Sequence, residues 1–163
     1  MIRNNASPFT HVFASAGTYQ VSLIVTSSDG CFSSVKQLQV VVNPQPLASF
    51  SFTDTTCIPN ALIRFTNTSS IANGTENSFV YLWNFGEPVS GIANSSTAKN
   101  PVHTYSSVGP FTVNLRVTSG AGCIHDTAIV VNTIHPQPKA AFSFSKPSVC
   151  IGEDVVLNDL SDY

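Results

Sequence analysis

The chain repeats itself at one fixed offset. His11, Gly17, Cys31 and Pro44 recur 92 positions later as His103, Gly109, Cys123 and Pro136. The apolar alternation between these marks recurs with them. Tyr19, Val21, Leu23 and Val25 align with Phe111, Val113, Leu115 and Val117. Farther on, Gln45 to Phe52 matches Gln137 to Phe144, and Cys57 matches Cys150 with one residue of drift. A repeat of this length marks a module copied along a chain, with short connections between copies. The offset also sets the phase. Residues 1–43 read as the back end of one module, 44–136 as a complete module and 137–163 as the front end of a further one. A unit of about 90 residues is an ordinary domain size, so the middle one can bury a core alone. The two flanking pieces are expected not to. The chain therefore reads as a stretch of a longer tandem array.

Inside the module the period is two, and helical spacing is absent. Ala48-Phe50-Phe52, Ala61-Ile63-Phe65, Phe79-Tyr81-Trp83-Phe85 and Phe111-Val113-Leu115-Val117 each put apolar side chains on one face. Ala128, Ile129, Val130 and Val131 predict a last, more thoroughly apolar strand. Turn signals punctuate them at Ile58-Pro59-Asn60, Asn73-Gly74-Thr75, Gly86-Glu87-Pro88, Gly109-Pro110 and Ser119-Gly120-Ala121-Gly122. Short alternating strands at this spacing predict an all-β fold, an antiparallel β-sandwich whose sheets each have one wet and one core face. The connections Asn43-Pro44-Gln45-Pro46 and His135-Pro136-Gln137-Pro138 carry two prolines in four residues, which makes them short and stiff. Stiffly joined sandwiches make a rod.

Composition narrows the function classes. Only 10% of the residues are charged and the net charge is −2, against about 25% charged in ordinary proteins. Without a basic patch, nucleic acid is excluded as an expected partner. No apolar run approaches the roughly 20 residues of a membrane span. Met1-Ile2-Arg3-Asn4-Asn5 carries no apolar h-region of a signal peptide. In a fragment of a longer array, that says nothing of where the parent protein goes.

Trp83-Asn84-Phe85-Gly86, then His103-Thr104-Tyr105, then Gly109 and the alternating run Phe111, Val113, Leu115, Val117 resemble the polycystic kidney disease (PKD) domain. That family's pattern reads roughly W-D-F-G-D-G, a gap, H-x-Y, then G-x-Y/F-x-V-x-L-x-V. His11-Val12-Phe13 and Gly17 to Val25 repeat the later elements, and residues 137–163 resemble the first two strands. Asn84 stands for the first Asp, and Gly86-Glu87-Pro88 stands for G-D-G. The resemblance implies an immunoglobulin-like β-sandwich of extracellular or cell-surface proteins. Such units serve as spacers, adhesion modules or accessory binding modules beside secreted hydrolases. Calcium binding proposed for some members needs the Asp and Gly that this chain replaces.

Each chemistry-bearing group has a structural explanation. The aromatic strand could stack on carbohydrate, but a Trp in the third strand of such a sandwich is normally core. His11 and His103 hold equivalent places and are expected to satisfy backbone groups near a turn. His125 and His135 are isolated, and no zinc spacing appears. Asp54, Glu76, Glu87 and Asp126 are scattered, with no calcium loop and no acid/base pair. No catalytic residue, cofactor or metal is expected. Sequons at Asn5, Asn67, Asn73 and Asn94 arise easily in an Asn/Ser/Thr-rich chain.

The four cysteines suggest disulfides in an oxidising compartment. One cysteine of each kind per module favours Cys57 with Cys123. Against that, the two lie at opposite ends of a simple sandwich, and a bond needs Cα atoms within about 7 Å. Pairing between adjacent modules is the alternative. The expected role is a non-catalytic spacer and adhesion module of a secreted protein. Its partners would be neighbouring modules and extracellular protein or polysaccharide. The runner-up is an accessory module of an extracellular protease or polysaccharide hydrolase. That role needs Phe9, Phe13, Phe32 and Tyr105 on one surface. The terminal pieces hold complementary parts of a module, so end-to-end association of chains is a further expectation.

Overall fold

Gly17 to Leu23 alternates and Lys36 to Val42 ends in three β-branched valines, and in the computed structural model they form a hairpin, β1 (Gly17–Leu23) with β2 (Lys36–Val42), from Gly17↔Val42 to Leu23↔Lys36. The structure describes residues 8–53 and 55–162, so Asp54 and the Asn5 sequon lie outside the described residues. The central strands are β3 (Phe50–Phe52), β4 (Thr56–Cys57), β5 (Ala61–Asn67), β6 (Val80–Asn84), β7 (Ser95–Ser96), β8 (Val102–Tyr105), β9 (Phe111–Thr118), β10 (Ile124–Val131) and β11 (Ile134–His135). A second hairpin, β12 (Phe142–Phe144) with β13 (Leu157–Asp159), follows.

The central strands make two sheets. One runs β10-β9-β6-β7 and the other β3-β5-β8, both antiparallel. β4 crosses over to pair in parallel with β11. The arrangement is the expected immunoglobulin-like antiparallel sandwich.

Alternation decides what is inside. Phe79, Tyr81, Trp83 and Phe85 are buried, while Val80 and Leu82 between them are exposed. Trp83 touches Phe50 and Phe65 of the opposite sheet, with ring centroids 5.0 and 5.7 Å apart. Such ring pairs add about 0.5–1.5 kcal/mol each beyond the area they bury. Val113, Leu115 and Val117 fill the rest of the layer. The indole N–H of Trp83 donates to the Ala98 carbonyl at 2.9 Å, so its polar atom is satisfied inside the core.

Every buried residue among those described lies between Pro46 and Ile134. The two hairpins bury nothing. Leu23, Leu38, Phe142 and Leu157 are all more than half exposed.

The sandwich has two ends. At the proximal end, the Ser119–Cys123 turn lies beside the β5–β6 connection, where the Gly120 N–H donates to Ser78 Oγ at 3.2 Å. The distal end carries β4, β11 and the β6–β7 connection. The expected Cys57–Cys123 bond is absent, and all four cysteines are free. Cys57 pairs with His135 at the distal end, whereas Cys123 precedes the first residue of β10 at the proximal end. An eight-residue strand separates them, about 27 Å at 3.4 Å per residue.

Four central strands, β4, β7, β8 and β11, go beyond those expected. The longest of them, β8, holds His103-Thr104-Tyr105 and pairs with β5 from Ala61↔Tyr105 to Arg64↔Val102. Four residues with a polar His facing inward give too short an alternation to read as a strand.

Candidate functional site

The residues of the recurring motif meet at the distal end, around a carboxylate. β6 ends in Asn84, whose Oδ1 accepts the Gly86 N–H at 2.9 Å and turns the chain back. Gly86 takes φ +76°, and a Cβ there would sit 2.5 Å from the Thr112 carbonyl oxygen. Only glycine fits. The turn drives Glu87 inward to 1% exposure. Asn94 Oδ1 accepts the Glu87 N–H at 2.7 Å, and Ser90 Oγ donates to its carbonyl at 2.7 Å, fixing the loop from both sides.

Each carboxylate oxygen of Glu87 is used. Oε2 lies 3.0 Å from His103 Nε2. Oε1 accepts the Ser106 N–H and its hydroxyl, both at 2.8 Å. Burial opposes the charge on Glu87. The Ser106 and His103 hydrogen bonds outweigh burial, so its carboxyl ionises below the ordinary range. The His103 ring stacks on Phe85 at 4.4 Å and meets Tyr105 edge-on at 4.5 Å. Tyr105 donates its hydroxyl to the Phe85 carbonyl at 3.1 Å and stacks on Phe111 at 4.3 Å. Burial, then the Glu87 charge, pushes its phenol well up. Gly109 allows the close approach beneath. A Cβ on it would lie 3.0 Å from Phe111 Cδ2 and 3.1 Å from the Val131 oxygen.

Ser, Glu and His in contact invite comparison with a nucleophile relay. The order is wrong for one. Ser106 Oγ donates to Glu87, not to His103, and a carboxylate held below its ordinary range is too weak a base to take its proton. His103 and Glu87 are also shut away from solvent. The cluster locks the β6–β7 connection to β8.

Two corrections follow. His103 satisfies a carboxylate rather than backbone groups. Glu87 is not an isolated acid but lies buried, its Oε2 3.0 Å from His103 Nε2. The legible signal was a Glu in the motif's turn, where the family has Asp, in a chain with few charges. Nothing marked Ser106 or Asn94.

The remaining candidates disperse. Asp126 takes two hydrogen bonds from Arg116, Nε to Oδ1 and Nη2 to Oδ2, each 2.8 Å. The first of these holds its carboxyl below the ordinary range. The Glu76 carboxylate accepts the Ile71 N–H at 3.1 Å. His125 Nδ1 accepts the Ala48 N–H at 3.1 Å. His11 meets Phe13 edge-on at 4.8 Å. Phe9 and Phe32 are exposed, but Tyr105 is fully buried, so the four aromatics do not share a surface. No group of three His, Cys, Asp or Glu among the described residues could hold a metal ion. No helix among them is long and apolar enough to cross a membrane.

What faces outward on the four-stranded sheet is mixed. Cross-strand register lines up Val80, Thr118 and Ile124 in one row, and Leu82, Arg116 and Asp126 in the next. Beside it, the connection carrying Pro88–Asn94 exposes Val89 and Ile92 almost completely.

Comparison with known families settles the kinship. A family model described as the PKD domain matches residues 43–134, more than half of the chain. The chain belongs to the PKD domain family. PKD domains are non-catalytic modules. Among solved structures, the PKD1 domain of Vibrio anguillarum Epp is 24% identical, with a TM-score of 0.48, covering 58% of this chain and all of that one. The PKD1 domain of the Vibrio cholerae metalloprotease PrtV is 28% identical, with a TM-score of 0.39, covering 56% and 99%. A carbohydrate-binding module of the β-sandwich superfamily is 17% identical, with a TM-score of 0.49, covering 71% of this chain and 53% of that one. Comparison with curated protein sequences returned no match.

Proposed function

We propose that this chain is a run of PKD modules from a secreted or cell-surface protein. In this reading residues 1–43, 44–136 and 137–163 belong to three successive modules. The chain's work is to space and stiffen, and to present its outer faces for adhesion. The observation that supports it most is the 92-residue repeat taken with the placement of the core, since one period holds every buried residue described. Neighbouring modules are the first partners. Extracellular protein or polysaccharide is the second. The outer face of the four-stranded sheet offers Val80, Leu82 and Ile124 around the Arg116–Asp126 pair and no aromatic ring, which suits protein better than a sugar chain. The motif residues Trp83, Asn84, Phe85, Gly86, His103, Tyr105, Gly109, Phe111, Val113, Leu115 and Val117 are structural in this reading.

Mechanism here is mechanical. Hydrogen-bonded ladders in each module resist extension, and Pro-x-Pro connections limit bending. Small-angle scattering of a protein carrying several consecutive modules tests it. An elongated profile whose length grows with module number is expected, and a compact globular profile overturns the rod. The alternative, an accessory module of an extracellular protease or polysaccharide hydrolase, keeps only Phe9 and Phe32 as exposed aromatics of its four. Retention on insoluble polysaccharide or collagen would favour it.

A further inference from the structure

The cysteines fall into two classes that the repeat keeps apart. Cys57 and Cys150 follow the first strand of their modules, and Cys31 and Cys123 precede the last. Cys57 sits at the distal end, beside His135. Cys123 sits at the proximal end, in the turn where its N–H donates to Ser119 Oγ at 3.1 Å. Both ends of one module therefore carry a thiol, and neither can reach the other.

The connection upstream of the sandwich shows what each thiol does face. The residue equivalent to His135 is Asn43, 92 positions earlier. A cysteine of the Cys57 class in the preceding module would pair beside Asn43, as Cys57 pairs beside His135. Asn43 lines a shallow cleft with Gly17 and Pro44 on one side and Ala72 and Asn73 of the β5–β6 connection on the other. That connection is joined to the Cys123 turn by the Gly120–Ser78 hydrogen bond. Two residues past Asn43, the Gln45 side-chain amide donates to the Ile124 carbonyl at 3.0 Å, next to Cys123. The distal cysteine of one module and the turn cysteine of the next thus converge on the same Pro-x-Pro connection. Cys57 is exposed and Cys123 half-buried, so both are accessible.

We propose that the cysteines staple successive modules to one another, the Cys57-class thiol of each module bonding the Cys123-class thiol of the module that follows. The inference rests on the tandem reading above. Formation is thiol–disulfide exchange with an oxidised protein or small-molecule disulfide. The two thiols lose two protons and two electrons, one S–S bond forms, and the oxidant's S–S bond becomes two thiols. In that pairing no two of the four cysteines of residues 1–163 are partners of one another, and all four are free.

The test is a head-to-tail concatemer of two copies of residues 44–135, one period of the repeat, so that His135 leads into Pro44-Gln45-Pro46 as in the native connection; this unit holds the whole described core. It is oxidised with a glutathione redox buffer, and the monomer is mapped by non-reducing peptide mass spectrometry. The expected product links Cys57 of the first copy to Cys123 of the second and leaves two thiols. Cys57→Ser in the first copy abolishes the link, while Cys57→Ser in the second copy leaves it intact. Bonding within one copy, or four unreacted thiols in a concatemer folded by circular dichroism, overturns the staple. Scattering of the same concatemer under reduction reports on the rod separately, so the two readings fail independently.

Discussion

Glu87 is the residue on which the family motif closes, and its charge has a pH signature. The folded state holds its carboxyl below the ordinary range, so the charge adds stability above that range. The contribution is lost as pH falls through the depressed folded value. Glu87→Gln removes the buried carboxylate that is hydrogen-bonded to Ser106 and His103 and is expected to cost about 1.5–3 kcal/mol at pH 7. Urea unfolding should show that gap narrowing once pH falls below the ordinary carboxylate range, about 4, and closing only beneath the depressed folded value. An equal gap above and beneath that value would place the effect in packing. Gly86→Ala meets the Thr112 backbone at a left-handed φ and is expected to cost of order 1–3 kcal/mol, read by the same method. The motif letters were legible as structure from sequence. The carboxylate's partner was not, because His103 and Glu87 lie 16 residues apart and meet only when β8 docks beside the β6 turn.

Strands with an alternating or a continuous apolar pattern were readable, β10 among the latter, and strands with neither were missed. β5 and β9 each show at least three inward apolar positions with polar or exposed neighbours, and the two of β6, Tyr81 and Trp83, are flanked by buried Phe79 and Phe85. That pattern is enough to give both element and face. β7 and β11 are two residues long and exist only through pairing, so no local pattern announces them. The face assignment of β6 has a direct consequence. Trp83→Ala should cost about 3–5 kcal/mol, the range for truncating a buried aromatic. Leu82→Thr on the outer face should stay within about 0.5 kcal/mol. Paired urea titrations decide it, and comparable losses would mean that both faces are packed.

For the whole molecule, the repeat set the phase before any strand was placed. It put a complete unit in the middle and partial units at either side. Among the described residues, those that are buried all lie from Pro46 to Ile134, and two bare hairpins flank that span. The cysteines show where such reading stops. Counting one of each kind per module favoured an internal bond and simple sandwich topology opposed it; the strand register decides, with a whole strand between them.

An isolated two-stranded hairpin is marginal in water, so the hairpins and the sandwich should differ sharply in opening free energy. Native-state amide hydrogen exchange on the 163-residue chain tests this most directly. The account expects the slowest amides in β5, β6 and β9, all losing protection together as denaturant rises. β1, β2, β12 and β13 should exchange near the rate of unfolded chain. Protection of those hairpins equal to that of β9 would contradict the claim that one period of the repeat is the folding unit.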